Sequence, residues 1–316
     1  MSEFDLIQQH FTRSTKHTHL SVGDDCALIT VSPGMALAIS TDMLVSGTHF
    51  FLDADPEKLG WKSLAVNLSD MAAMGAVARW ATLAISLPDA DDAWLSAFSK
   101  GFFACAEAFD IDLIGGDTTR GPLNIAVQIM GEVSLDGALK RSGAKVNDDI
   151  WVSGNLGDAA LALAGLRFQI DIKPEELSAI ENALNMPQPR VTLGLALRGI
   201  ASSCIDISDG LVSDLGHIIK ASGVGAEIAL DQLPLSKTVA PYFHLKSVKD
   251  MVLAGGDDYE LCFTAPQAKY SVIEKLSLDL RLPLTRIGHI CAHKNLNVNA
   301  NGQTMDIQHK GYDHFA

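Results

Sequence analysis

Carboxylates recur beside Gly, Ser or Thr at six places in the chain: GDDCA (23–27), STDML (40–44), NLSDM (67–71), IGGDTTRG (114–121), DISDG (206–210) and AGGDDYE (254–260). Taken singly, each reads as a helix cap or a turn, because Asp and Ser accept backbone N–H bonds in both settings. Taken together they suggest metal chemistry. Hard cations such as Mg²⁺ take oxygen ligands, usually one or two carboxylates completed by water and phosphate oxygens. Six convergent stations would therefore serve several Mg²⁺ ions bridging a polyphosphate. The net charge of −14 points the same way, since an acidic surface accepts an anionic nucleotide only through cations. That charge also argues against nucleic acid or an anionic membrane surface as the main partner. The acids are 28 Asp against 10 Glu, and Asp is the shorter, stiffer ligand.

The common signatures of other chemistries are missing. The sequence contains no G-x-x-x-x-G-K-[ST], no complete G-x-G-x-x-G, no H-R-D or D-F-G, no G-x-S-x-G and no H-E-x-x-H. Its five cysteines (Cys26, Cys105, Cys204, Cys262, Cys291) are scattered without C-x-x-C or a His pair at zinc spacing, and read as core thiols of a reducing compartment. HTH at 17–19 reads as solvated. Among ten histidines, His49 stands out, seven residues after Asp42 in a Gly-containing loop. Arg120, Arg141 and Arg190 are candidate phosphate ligands, and Arg141 has the best claim because it sits at a domain junction, where ligand clefts form. Glu260 ends DDYE just before a strand; its plainer reading is a solvated strand-end carboxylate.

These residues must be held by two folding units, since 316 residues are long for one core. A short helix is expected over residues 1 to 12, and 36–50 reads as a strand leading into a loop. Trp61, Leu64, Leu68 and Met71 recur at helical spacing, with Asp70 beside the buried stripe. Strands are expected at 80–87 and 124–133 with a helix near 91–109 between them. The polar, Gly-containing segment 136–149 marks the boundary, giving domains 1–144 and 145–316. Beyond it, helices near 158–166, after Pro189, at 210–221 and at 267–278 alternate with strands at DIWVSG, Ile205, AEIAL and ELCFTA. That is an α/β class with mixed sheets. The N-terminus lacks the order of a signal peptide and no apolar run reaches ~20 residues, so a cytoplasmic protein without a membrane partner is expected. NLSDMAAMG and DISDGLVSDLG echo one another, too briefly to establish a repeat.

In this order, GDDCA, STDML, NLSDMAAMGA, LIGGDTTRGP, RSGAK, DISDGLVSDLGHI, GGDDYELCFT and GYDHF closely resemble the bacterial thiamine-monophosphate kinases, from about residue 20 to the C-terminus. The Asp motifs alone indicate the wider superfamily of aminoimidazole-ribonucleotide synthetase; GGDDYEL and GYDHF point to the thiamine enzymes. The resemblance implies an aminoimidazole-ribonucleotide synthetase-like fold, an N-terminal domain that pairs in a homodimer, and an active site in the cleft between domains. It implies ATP-dependent phosphorylation of thiamine monophosphate to thiamine diphosphate, the final step of that biosynthesis, with several Mg²⁺ and usually K⁺. Carried over by motif, Asp25 (in preference to Asp24), Ser40, Thr41, Asp42, Asp70, Asp117, Asp206 and Asp209 form the metal shell, some through backbone carbonyls or water. Gly116, Asp117, Arg141 and Ser208 touch ATP; His49, Glu260 and Tyr312 touch the substrate. Asp257 departs from the Glu often found there and is left out. Phe102 and Phe103 both qualify as the aromatic against adenine.

The implied chemistry suits the residues. Phosphoryl transfer needs positioning and charge neutralisation more than covalent help, and a phosphate acceptor with a second pKa of ~6 arrives largely deprotonated. Direct in-line transfer without a phosphoenzyme or a general base is therefore expected. Two rivals remain: another superfamily activity in which ATP activates an amide or selenide, and a non-catalytic, Asp-rich metal-binding module. The reactive Cys loop of selenophosphate synthetases has no counterpart here.

Overall fold

The strand-forming run ALAISTDMLV builds β1 (Ala36–Val45), whose residues alternate between sheltered and exposed positions. In the computed structural model, which describes residues 3–300, 302–305 and 311–312, β1 is one edge of a four-stranded sheet in the order β1-β4-β2-β3. Its other members are β2 (Val77–Leu87), β3 (Asp112–Arg120) and β4 (Asn124–Val133). Only β2 and β3 run parallel. The connection between them is α3 (Asp92–Phe109), which starts where the Asp91 carboxylate accepts the N–H groups of Ala93 and Trp94. α2 (Pro56–Ala73) starts five residues earlier than its apolar spacing indicates, with Pro at the position where a missing N–H costs nothing. Leu64, Ala65, Val66, Leu68 and Met71 are all buried, so this helix is sheltered on nearly every side.

α2 and α3 approach closely because both carry glycine at the crossing. A Cβ on Gly101 would lie 1.7 Å from the Glu57 carbonyl oxygen, and one on Gly60 would lie 2.0 Å from that of Phe98. The short N-terminal helix α1 (Glu3–Leu6) runs on as a π-helical turn, Ile7–Phe11, with Phe11 buried. The segment after it is pinned by buried Asp112, which accepts the N–H groups of Lys16 and His17 and the Thr18 hydroxyl at 2.6–3.0 Å.

The second unit comprises Ala72–Gly75 and the chain from Gly137 onward. Residues 137–144 are held by their own packing: Leu139 lies in a core with Ala72, Leu193 and Phe263, and Ala144 in a second core with Ile150 and Ile205. Among the described residues this unit has a seven-stranded mixed sheet, β11-β10-β7-β9-β5-β8-β6. The strands are β5 (Asp148–Ser153), β6 (Ser203–Asp206), β7 (Gly225–Ala229), β8 (Leu261–Pro266), β9 (Leu284–Cys291), β10 (Leu296–Ala300) and β11 (Gln303–Met305). Its helices are α4 (Asp158–Leu166), α5 (Pro174–Asn185), α6 (Val191–Ala196), α7 (Leu211–Ser222), α8 (Lys246–Ala254) and α9 (Tyr270–Leu280). No described helix is long and apolar enough to cross a membrane.

Candidate active site

In the first unit the strand alternation of β1 sorts its candidate ligands. Ser40 and Asp42 lie on the sheltered side and Thr41 on the exposed one. The Ser40 hydroxyl donates to Asp70 Oδ2 of α2 at 2.5 Å, and the Asp42 N–H donates to Asn67 Oδ1 at 3.1 Å. Asn67 is itself fixed, since it is fully buried and its amide donates to the Ser63 carbonyl oxygen at 3.0 Å. Strand β1 and helix α2 thus bring Ser40, Asp42 and Asp70 together, an all-oxygen donor set of the kind a hard divalent cation takes. Thr41 Oγ accepts from Gln128 at 3.4 Å on the opposite face, so its side chain is not part of that group.

Gly116 and Asp117 are not beside that group. Asp42 pairs with Val127, Val127 with Leu83, and Leu83 with Gly116, so they occupy one row on opposite edges of the sheet. Three strand spacings separate them by about 14 Å along that row. Gly116 is fixed by sterics: φ is +151°, and a Cβ there would sit 1.7 Å from the Leu83 carbonyl oxygen. Asp24 and Asp25 are exposed in a loop closed by the Leu20–Leu28 bridge, where the Asp25 N–H donates to Asp24 Oδ1 at 3.0 Å. That bond occupies Asp24 and favours Asp25 as the outward donor. His49 folds back on β1, its Nδ1 accepting the Val45 N–H at 3.0 Å. The neutral ring then carries its proton on Nε2, a donor suited to a phosphate oxygen. Phe102 is fully buried against Phe98 and is core; Phe103 is half-buried under the Arg13 guanidinium, 4.6 Å from its ring centre.

In the second unit three motifs far apart in sequence converge. Asp206 ends β6, and the chain then turns through IleSerAspGly into α7. The segment from Gly255 to Glu260 runs alongside: the Asp257 N–H donates to the Ser208 carbonyl oxygen at 2.9 Å, Tyr259 N–H to that of Ile207 at 2.8 Å, and Ile207 N–H to that of Glu260 at 2.8 Å. Gly210 (φ +110°) and Gly256 have no room for a Cβ, against Ala254 backbone and the Ser208 carbonyl oxygen respectively. Tyr312 joins through its N–H, 3.1 Å from the Asp209 carbonyl oxygen; residues 313–315 of GYDHF lie outside the described residues. Arg141 is exposed, and its charge acts on Asp214.

Asp214 is one of the site residues that spacing did not single out. It is buried in the first turn of α7, and its Oδ2 accepts the N–H groups of both Ser208 and Asp209 at 3.1 Å. Burial pushes its carboxyl up to about 7, against those two hydrogen bonds. The available signal was a third carboxylate one helical turn past Gly210, in DGLVSD. Arg190 is another. Its guanidinium grips Glu260 through Nε (2.6 Å) and Nη2, while Ser153 Oγ donates to the same carboxylate at 2.5 Å. Glu260 is therefore a buried ion-pair partner and not a solvated strand end; burial raises its pKa and Arg190 opposes the rise. Asp258, also pushed up by burial, accepts the Gly157 N–H at 2.9 Å, while its Oδ2 has no hydrogen-bond partner among the described residues.

Comparison with known proteins agrees with these motifs. Family models described as AIR synthase related protein, N-terminal and C-terminal domains, match residues 23–133 and 145–301. A thiamine-monophosphate kinase of Salmonella typhimurium is 47% identical over 99% of this chain and 98% of its own. A solved thiamine-monophosphate kinase from Stenotrophomonas maltophilia superposes with a TM-score of 0.85 at 43% identity, covering 96% of this chain and 95% of that one. A structure described as AaThiL complexed with AMPPCP and TMP gives a TM-score of 0.79 at 30% identity, covering 93% of this chain and 92% of that one.

Proposed function

Because the chain belongs to the thiamine-monophosphate kinase family, within the AIR synthase related proteins, we propose that it phosphorylates thiamine monophosphate with ATP to give thiamine diphosphate. The observation that carries this reading is the relative solved with AMPPCP, an ATP analogue, and TMP bound. The acceptor oxygen on thiamine monophosphate forms a bond to the γ-phosphorus of ATP as the bond from that phosphorus to the β–γ bridging oxygen breaks, and ADP leaves. No protein nucleophile takes part. The acceptor is an oxygen of a phosphate already largely ionised near neutral pH, so the transfer needs alignment more than a base.

The chain's own residues supply that alignment. Ser40, Asp42 and Asp70 form one oxygen donor group, Asp206 with Asp209 a second, and Asp117, at the other edge of the first unit's sheet, a separate one; Asp25 and the Thr41 carbonyl are further oxygen donors. All fit Mg²⁺, which when bound neutralises triphosphate charge; K⁺ would accompany it. Arg141, Ser208 and Gly116 contact ATP. His49 offers its Nε2 proton to the thiamine phosphate, and Tyr312 offers an aromatic face to the cationic ring. Glu260 acts through its ion pair, holding the partly exposed Arg190 guanidinium where it can meet a phosphate. The β1 face bearing Leu37, Ile39 and Met43 is 37–55% exposed at those residues on an edge strand, which supports a homodimer closed over that face. Dependence on ATP and five free cysteines support a cytoplasmic setting.

The test supplies ATP, Mg²⁺ and thiamine monophosphate and scores thiamine diphosphate, with free thiamine as the control acceptor. Asp42→Asn should keep the fold and lose at least about 100-fold in turnover, the scale of one lost transition-state charge contact. ADP formed without thiamine diphosphate would return the chain to another superfamily activity. Nucleotide binding that ignores Mg²⁺ would overturn the assignment of the acids.

A further inference from the structure

His289 and Cys291 alternate along β9, so they share one side of the sheet, and His293 follows in the bend after the strand. Strand β7 lies antiparallel beside them, with Glu227 directly opposite His289 and Gly225 opposite Cys291. One donor atom each from Glu227, His289 and Cys291 lies within 4.8 Å of the others. Glu227 also sits between two imidazoles: Oε1 is 3.4 Å from His293 Nε2 and Oε2 is 4.0 Å from His289 Nε2. A shallow cleft of about 210 Å³ adjoins the group, lined in part by Glu227, Arg286, Gly288 and His289.

We propose that Glu227, His289 and Cys291 form a binding site for a zinc-class divalent transition-metal ion, with His293 positioning the Glu227 carboxylate. The donor chemistry sets the metal class. A thiolate, an imidazole and a carboxylate match a borderline-soft ion and not Mg²⁺, which the all-oxygen groups of this chain suit. Tetrahedral bonds of about 2.0–2.3 Å separate ligand atoms by roughly 3.3–3.8 Å, so closure needs side-chain shifts of ~1 Å. His293 has the positioning role because its Nδ1 takes the Asn295 N–H at 3.4 Å. Its Nε2 then carries the proton and donates to Glu227, the outer contact that orients a metal-binding carboxylate. Burial, and then Glu227, push the Cys291 thiol up, so the metal displaces a proton on binding. With three protein ligands, water completes the shell. The bound ion joins the neighbouring inner strands β7 and β9, a structural clip remote in role from phosphoryl transfer. This proposal does not rest on the kinase reading.

The test titrates the full chain with Co²⁺ in excess Mg²⁺ and a thiol-free reductant, so that hard-ion sites are masked. Expected are one Co²⁺ per chain, a thiolate-to-cobalt charge-transfer band, visible absorption of tetrahedral intensity, and displacement by Zn²⁺. Cys291→Ser should remove the charge-transfer band. Both it and His289→Asn should weaken Co²⁺ binding at least ten-fold, and His293→Asn should weaken it less. Thiamine diphosphate formation by Cys291→Ser should equal the parent's. A parent without the charge-transfer band, or Cys291→Ser and His289→Asn binding Co²⁺ as the parent does, would overturn the proposal. Because a variant could fail to fold, the parent provides a second readout. Zn²⁺ should slow iodoacetamide alkylation of Cys291, mapped by mass spectrometry, at least ten-fold; an unchanged rate counts against the site.

Discussion

Replacing Arg190 by Met tests how the second unit holds the buried carboxylate of Glu260. The methionine keeps much of the aliphatic volume but removes the two guanidinium bonds to Glu260, leaving Ser153 Oγ as its remaining side-chain donor. Glu260 is 5% exposed, so its charge would stay buried with one neutral partner. Breaking a buried pair by removing one member costs about 3–5 kcal/mol. The Arg190 side chain is 26% exposed and screened accordingly, which sets the expectation near the lower end, ~3 kcal/mol. For a unit of this size that is a fall of about 6–12 °C in melting temperature. The pH dependence has a definite sign. Burial already raises the Glu260 pKa above its usual value, and removing Arg190 raises it further. An acid with a raised folded-state pKa destabilises the fold above that pKa, and the cost fades as pH falls and the group takes up its proton. Calorimetry should therefore show a large deficit at pH 8 and a smaller one at pH 5.5. Arg190→Met/Glu260→Gln should recover at least half of the loss at pH 8, because a neutral amide replaces the stranded charge. A single variant melting within about 2 °C of the parent, or a deficit equal at both pH values, would refute the ion-pair argument.

Asp214→Asn replaces a carboxyl whose pKa is pushed up to about 7 by a neutral side chain, while one oxygen remains to accept from Ser208 and Asp209. Ionisation makes the parent lose stability as pH rises from about 4 towards 7, so the variant's relative stability should improve between pH 5 and pH 8 in urea titrations. Ile39→Lys places a charge on the exposed apolar face of β1; if that face closes a homodimer, sedimentation should find the monomer at concentrations where the parent is dimeric, with the far-ultraviolet circular dichroism unchanged.

The parts of the fold legible in the sequence are those whose local pattern and final environment agree. β1, β2, β4, α3 and α7 lie where apolar spacing and caps put them, because their apolar residues repeat at the period of the element they form. β3 is obscured by chemistry: IGGDTTRG reads as a cap or turn, yet glycine at 116 is what lets the strand lie against Leu83. α5, α8, β9, β10 and β11 carry no clear local signal because polar residues dilute the period, and tertiary pairing decides their state. The site divides in the same way. Adjacent motif residues such as Ser40 and Asp42 are visible as strings, but their split from Thr41 onto opposite faces follows from the strand's period.

What spacing could not give is which distant groups neutralise one another. Glu260 looked solvated until β8 and the segment leading to α6 brought Arg190 onto it, and Cys291 looked like a core thiol until β7 brought Glu227 across from His289. Both cases share a cause. A strand partner contributes through register, a long-range quantity, whereas motif reading weighs neighbours along the chain. HICAH carries its own signal nonetheless: His289 and Cys291, two residues apart, share a face in a strand, where they can act together with a residue opposite. A sequence search for metal donors that allows strand period beside the zinc-finger and helical spacings would have found this group. The same search would not flag NLSDM, where Asn67 and Asp70 reach β1 from a helix at i, i+3. The oxygen donors Ser40 and Asp70 thus meet across strand and helix, whereas the proposed sulfur and nitrogen donors both lie on β9 and meet a carboxylate from β7.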